Sequence, residues 1–147
     1  MVIKRHFQFD AAHMLSQYEG KCSNLHGHTY TGDIEIHAEA RRETGMVLDY
    51  NEIKQVVDMY DHAVIFSSSE VRNEAEKELY EWAKKHGMRM IVIGEGKCTA
   101  ENIAHSLCDK IRDRLPSYYR ITVWLHETPD STAVATIALG GRKEYGC

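Results

Sequence analysis

The chain has 147 residues, 43% of them hydrophobic and 27% charged, which is the composition of one ordinary globular domain and not of a disordered or membrane protein. A net charge of −4 and a pI near 6.1 supply no basic field, so a nucleic-acid backbone is not an expected partner. The longest apolar run, Met90–Ile93, is far below membrane-spanning length, and Lys4, Arg5 and His6 interrupt the start where a signal peptide needs an apolar stretch. Residues 1–147 are therefore read as a single soluble domain without a membrane partner. The four cysteines, Cys22, Cys98, Cys108 and Cys147, lack paired spacing and are read as free thiols in a reducing cytoplasm.

In chain order, apolar residues mostly two apart from Ile3 to Ala11 predict a half-buried strand that delivers His13 at its far end. Residues 16–25 are polar and contain Gly20, a loop that places Cys22 near His26 and His28. Ile34, Ile36 and Ala38 alternate with Asp33, Glu35, His37 and Glu39, predicting a second strand over 29–41, antiparallel to the first. Asn51 is expected to cap a helix over 51–60 with Ile53, Val56, Val57 and Tyr60 on one face. A second helix over 70–86 would bury Ala75, Leu79, Trp82 and Ala83 and stop at Gly87. After a short strand over 88–93, Thr99 opens a third helix with Ile103, Leu107, Ile111 and Leu115 inward, ended by Pro116. Strands over 118–127 and 132–139, joined by the turn at Thr128, Pro129, Asp130 and Ser131, complete an α+β domain whose helices cover one face of an antiparallel sheet. Such a sheet leaves edges that barrel closure between subunits would remove.

The chemistry is concentrated near the N-terminus. His26 and His28 are two apart, so on an extended segment both imidazoles point to one face. His13 adds a third neutral nitrogen, the set with which zinc keeps a fourth position open. Two readings follow for Cys22: a catalytic group beside an open site, or the fourth ligand of a closed structural one. Of the other histidines, His6, His37, His86, His105 and His126 are read as ordinary packed or solvated residues, and Glu101 as an acid favoured by a helix dipole and left outside the site.

Six segments stand in register along the chain: Phe9 to His13, Cys22 to His28, Gly45 to Lys54, Asp61-His62, Thr99 to Ala104, and Glu127 to Pro129. Together they resemble the 6-pyruvoyltetrahydropterin synthase family. The three-residue gap between Cys22 and His26 is similar to the branch that forms 6-carboxytetrahydropterin in queuosine biosynthesis; the pyruvoyl-forming branch usually has a longer gap.

The resemblance implies the tunnelling fold, with antiparallel four-stranded units joined into trimeric barrels, two of which stack as a homohexamer with active sites between subunits. It implies one Zn2+ per subunit on His13, His26 and His28, Cys22 as the proton-abstracting thiolate, Asp61 and His62 as its partner pair, Glu127 as the pterin anchor and Thr99 nearby. On this expectation the enzyme is a lyase acting on 7,8-dihydroneopterin triphosphate, with the pyruvoyl-forming reaction and a non-catalytic zinc-stabilised pterin-binding oligomer as alternatives.

The chemistry agrees with the roles. Zinc on three neutral ligands acts as a Lewis acid toward hydroxyls of a polyol side chain. A thiolate beside a cation suits removal of a carbon-bound proton near neutral pH. An ionised carboxylate only accepts, matching the parallel 2-amino and N3–H donors of a pterin. By spacing alone Asp61-His62 reads as a helix-terminal pair, because adjacent helical side chains diverge. A zinc hydrolase is set aside, since the sequence lacks His-Glu-x-x-His and offers no obvious carboxylate beside the His pair. Two departures from the family pattern stand out: the segment 63–98 is longer than in the shortest members, and Lys97-Cys98 stands where the family often has Asn-Pro. The sequence assigns no residues to the triphosphate; Lys21, Arg41 and Arg42 are candidates only.

Overall fold

The computed structural model describes residues 1–72, 74–115 and 117–139; Pro116, Cys147 and the side chain of Ala75, all named above, lie outside what is described. Strand β1 (Val2–His13) pairs antiparallel with β2 (His26–His37) along its whole length, from Val2 opposite His37 to His13 opposite His26. β2 pairs antiparallel with β5 (Arg120–Thr128), which returns as β6 (Ser131–Ala138). This is the expected four-stranded antiparallel unit. It is extended beyond β1 by two parallel pairings, β3 (Ala63–Ser67) and then β4 (Met90–Ile93), giving one mixed six-stranded sheet in the order β4-β3-β1-β2-β5-β6.

The expectation of a four-stranded sheet is thus corrected to six strands, and β3 is the element that sequence reading overlooked. Ala63, Ile65, Phe66 and Ser67 are all buried, so the strand shows no alternation for periodicity to detect. The outer positions of β1 and β2 do alternate: Lys4 pairs with Asp33 at 3.3 Å on the face away from the helices.

The opposite face carries the core. Phe7, Phe9, Tyr30, Ile34, Ile36, Ile121, Val123 and Leu125 pack under helices α1 (Tyr50–Asp58) and α3 (Ala100–Arg112), which bury Ile53, Val56, Val57, Ile103, Leu107 and Ile111. Gly32 is required at its place on β2, because a Cβ there would collide with the Trp124 carbonyl oxygen and the Phe7 ring.

Helix boundaries follow the capping chemistry. Thr99 caps α3 as expected, its hydroxyl accepting from Asn102 N at 3.5 Å. α1 is capped by Asp49 instead of Asn51: the Asp49 carboxylate accepts from Asn51 N at 2.8 Å, so Asn51 is already inside the first turn. The expected helix over 70–86 is a 3₁₀ turn, Glu70–Arg72, followed by α2 (Glu74–Lys85). Its buried stripe is corrected too. Ala83 is buried, whereas Trp82 is 52% exposed and lies against the His86 ring at 4.8 Å, because α2 is peripheral and has little core to cover. No helix among the described residues is long and apolar enough to cross a membrane.

Candidate active site

Antiparallel register builds the histidine cluster. His13 is the last residue of β1 and stands opposite His26, the first of β2; His28 follows two residues on, opposite Ala11, with its ring on the same face. Ring centroids lie 4.6 Å apart for His13–His26, 4.9 Å for His26–His28 and 5.3 Å for His13–His28. One ligand nitrogen from each falls within 4.8 Å of the others, the only such group of three or more metal-ligating side chains found among the described residues. Cys22 is not part of it.

The residues present fit a metal. His13 Nδ1 donates to the Cys98 carbonyl at 2.6 Å and His26 Nδ1 to the Asn24 carbonyl at 2.7 Å. A carbonyl only accepts, so each Nδ1 carries the proton and each Nε2 is left with its lone pair. Both Nε2 atoms are buried and find no hydrogen-bond partner among the described residues. His13 Nε2 also lies 3.3 Å from Glu127 Oε1, and His28 Nε2 lies 3.7 Å from the same oxygen. A lone pair facing a carboxylate at that distance calls for a cation between or beside them. Burial, the leading influence, holds the His13 imidazole below its ordinary value and therefore neutral, as a ligand must be. Tyr30 forms the floor, edge-on to His13 and His28, and burial followed by the Glu127 charge raises its hydroxyl pKa.

Next to the cluster opens a cavity of about 350 Å³ lined by Leu15, Tyr18, Cys22, Thr99, Glu127 and Thr132, among others. Three elements bring the expected residues into it: the 3₁₀ turn Lys21–Ser23 carries Cys22, the α3 cap carries Thr99, and the end of β5 carries Glu127. The Cys22 carbonyl accepts from Leu15 N at 2.8 Å, closing the loop that holds the thiol at the rim.

Asp61 and His62 are not in that cavity. They follow α1 in a turn stapled to β1, with Asp10 N donating to the Asp61 carboxylate at 3.0 Å and His62 N donating to the Asp10 carbonyl at 2.6 Å. The two side chains do meet, His62 Nδ1 lying 2.9 Å from Asp61 Oδ2. They meet because His62 adopts a left-handed backbone (φ 58°) instead of continuing the helix, which overturns the divergence argued from helical spacing. The Asp10 N–H, then His62, holds the Asp61 carboxyl below its usual value. His62 lines a separate open depression of about 450 Å³ shared with Asp10, His28, Thr29 and Val64. His28 is thus the residue common to the metal cluster and the His62 side.

A family model described as 6-pyruvoyl tetrahydropterin synthase matches residues 2–137. The chain belongs to this family. It is 33% identical over 138 residues to the 6-carboxy-5,6,7,8-tetrahydropterin synthase of Haemophilus influenzae, covering 88% of this chain and 94% of that one. It is 36% identical over 138 residues to a Pyrococcus abyssi protein to which the same activity is provisionally ascribed, covering 90% and 87%. Among solved structures, the 6-pyruvoyl tetrahydropterin synthase of Plasmodium vivax shares the fold, with a TM-score of 0.64 at 15% identity over 95% of this chain and 99% of that one. As a member of this family of tetrahydropterin synthases, the protein is a pterin-processing enzyme.

Within this family member, sequence reasoning missed four features. Glu127 supplies the carboxylate beside the histidines that the sequence seemed not to offer; 99 residues separate it from His28, and only the β2–β5 pairing brings the two strands together. Tyr30 could have been found, since it continues the two-residue spacing of His26 and His28. The Asn24 and Cys98 carbonyls, being backbone, leave no mark in a sequence. Glu101, set aside above as a helix-dipole residue, also lines the Cys22 cavity.

Proposed function

We propose that the protein is a zinc-dependent 6-carboxy-5,6,7,8-tetrahydropterin synthase. It takes 7,8-dihydroneopterin triphosphate and water to 6-carboxytetrahydropterin, acetaldehyde and triphosphate, a lyase step of queuosine biosynthesis in the cytoplasm. The observation that carries this reading is the separation of Cys22 from the three-histidine group while it shares a cavity with Glu127 and Thr99. A thiol outside the ligand set is free to act on substrate; a thiol inside it would close the site.

His13, His26 and His28 would hold the zinc by nitrogens, two of them with tautomers set by carbonyls. Bound zinc supplies Lewis-acid polarisation of the substrate's side-chain hydroxyls. Glu127 accepts from the pterin's 2-amino and N3–H groups and fixes the ring. Thr99, whose hydroxyl oxygen faces the α3 N-terminus, keeps its own O–H for the substrate. Cys22 removes the carbon-bound proton. Asp61 accepts from His62 Nδ1, which orients the imidazole and leaves Nε2 to carry a proton.

Because His62 and Cys22 open onto different cavities of one protomer, the pair serves the Cys22 of a neighbouring subunit. The assembly is a homohexamer of two trimers in which open edges of the sheet are closed between subunits. The test is product identification by mass spectrometry with 7,8-dihydroneopterin triphosphate. The 6-carboxy product with acetaldehyde supports the reading; a 6-pyruvoyl product, which keeps the side-chain carbons, assigns the other reaction of the family.

A further inference from the structure

The segment between β3 and α3 contains a buried acid that the reaction above does not use. Glu70, in the 3₁₀ turn before α2, is 3% exposed and points inward. Its Oε1 accepts from Cys98 N at 3.2 Å and its Oε2 from Ser67 N at 3.3 Å, while its own N–H donates to Ser67 Oγ at 3.0 Å. Ser67 Oγ in turn donates to the Gly96 carbonyl at 2.5 Å. The carboxylate therefore ties the end of β3 to the segment 96–98 that leads into α3.

The other side of Cys98 is the metal cluster. Its carbonyl is the group that accepts from His13 Nδ1 at 2.6 Å. Cys98 is held between a buried carboxylate on its N–H and a histidine on its C=O, two polar anchors on one fully buried residue. Its thiol donates to the Ile65 carbonyl at 3.4 Å, and burial, then a hydrogen bond with Glu70, pushes its pKa far above the usual thiol value. The adjacent Lys97 reaches the other way, Nζ donating to the Ser16 carbonyl at 2.8 Å in the loop that carries Cys22. Residues 97 and 98 thus join the metal ligand His13, the Cys22 loop and Glu70.

We propose that Glu70 is a positioning residue of the metal site, acting through the Cys98 backbone to fix the carbonyl that sets the tautomer and ring orientation of His13. Outer partners of a metal-bound histidine carry a measurable share of metal affinity. Removing the acceptor for Cys98 N leaves a buried N–H unpaired, so the backbone at Cys98 turns to find a new partner and takes the His13 acceptor with it. The inference rests on the metal reading of the histidine cluster.

The experiment measures Co2+ affinity by chelator competition, together with Co2+ d–d absorption, in full-length wild type, Glu70→Asp, Glu70→Gln and Ala83→Gly. Glu70→Asp keeps the charge but withdraws the carboxylate by one methylene, and affinity should fall about tenfold with an altered d–d spectrum. Glu70→Gln keeps an acceptor oxygen for Cys98 N at the original reach while its NH2 meets the Ser67 N–H, so affinity should fall less than in Glu70→Asp, staying within about threefold of wild type with the spectrum unchanged. Ala83→Gly, buried in α2 away from Cys98, reports general loosening and should leave both readouts at wild-type values whatever its melting temperature. Equal affinity and spectra in wild type and Glu70→Asp, or equal losses in Glu70→Asp and Ala83→Gly, would overturn the proposal. A wild type that binds no Co2+ overturns the metal reading and this inference with it, and is told apart because the failure precedes any substitution.

Discussion

His13 and His26 are direct cross-strand partners, and each has its Nδ1 bound to a backbone carbonyl and its Nε2 buried without a partner. Folding has thus removed two imidazole lone pairs from water and given them nothing to accept from among the described residues. An unsatisfied buried group costs about 1–3 kcal/mol, and a bound cation offsets that cost.

Metal should therefore stabilise this fold. At a free zinc concentration a thousandfold above Kd, the gain is about 4 kcal/mol, which thermal melts with and without chelator would read as a rise of several degrees. His13→Ala and His26→Ala should each weaken zinc binding by more than about 100-fold and abolish the chelator-sensitive part of the melt. A melt indifferent to chelator in wild type would contradict this.

Glu127 is expected to act on the pterin ring and not to hold the protein together. Glu127→Gln replaces one acceptor by a donor, which faces the ring's own donors, so pterin affinity measured by fluorescence titration should fall at least about tenfold, from the loss of a charged hydrogen bond of about 1.5–3 kcal/mol. Zinc content should be retained. Loss of zinc with unchanged pterin affinity would make Glu127 a metal ligand, a role that its 3.3 Å approach to His13 Nε2 makes worth measuring in the same experiment.

Gly32 marks a packing limit unrelated to chemistry. Gly32→Ala must displace both the Trp124 backbone and the Phe7 ring, and overpacking of this kind costs about 1–3 kcal/mol. Chemical denaturation should show that loss, with the metal affinity of the folded fraction unchanged.

The Asp61 staple gives a pH dependence of defined sign. Its folded pKa lies below the ordinary 3.8, chiefly through the Asp10 N–H and then His62, so the unfolded chain binds the proton more readily. The stabilisation is complete above 3.8 and is lost as pH falls through the folded value. Asp61→Asn should flatten stability against pH on that acid limb while leaving the limb above it unchanged; an identical acid limb in both proteins would contradict the assignment.

Much of this architecture could be read from the chain because it rests on periodicities. The alternation along β1 and β2 and the spacing of Ile103, Leu107 and Ile111 gave the core elements, and the two-residue spacing of His26 and His28 gave the cluster. What escaped lacks a local signal. β3 is buried without alternation, α2 exposes the Trp82 that a helical stripe would bury, and α1 takes its cap two residues before Asn51. At the site, Cys22, Thr99 and Glu127 line one cavity, whereas His62, bound to Asp61, lines a separate depression, a division that single-chain motif order does not encode.

The central claim, that the three histidines hold the metal and Cys22 works on the substrate beside it, is tested most directly by Cys22→Ala, assayed for bound zinc and for turnover of 7,8-dihydroneopterin triphosphate by mass spectrometry. Zinc retained at the wild-type level with product formation lost is the expected result; zinc and thermal stability lost together would make Cys22 a structural ligand and contradict the account.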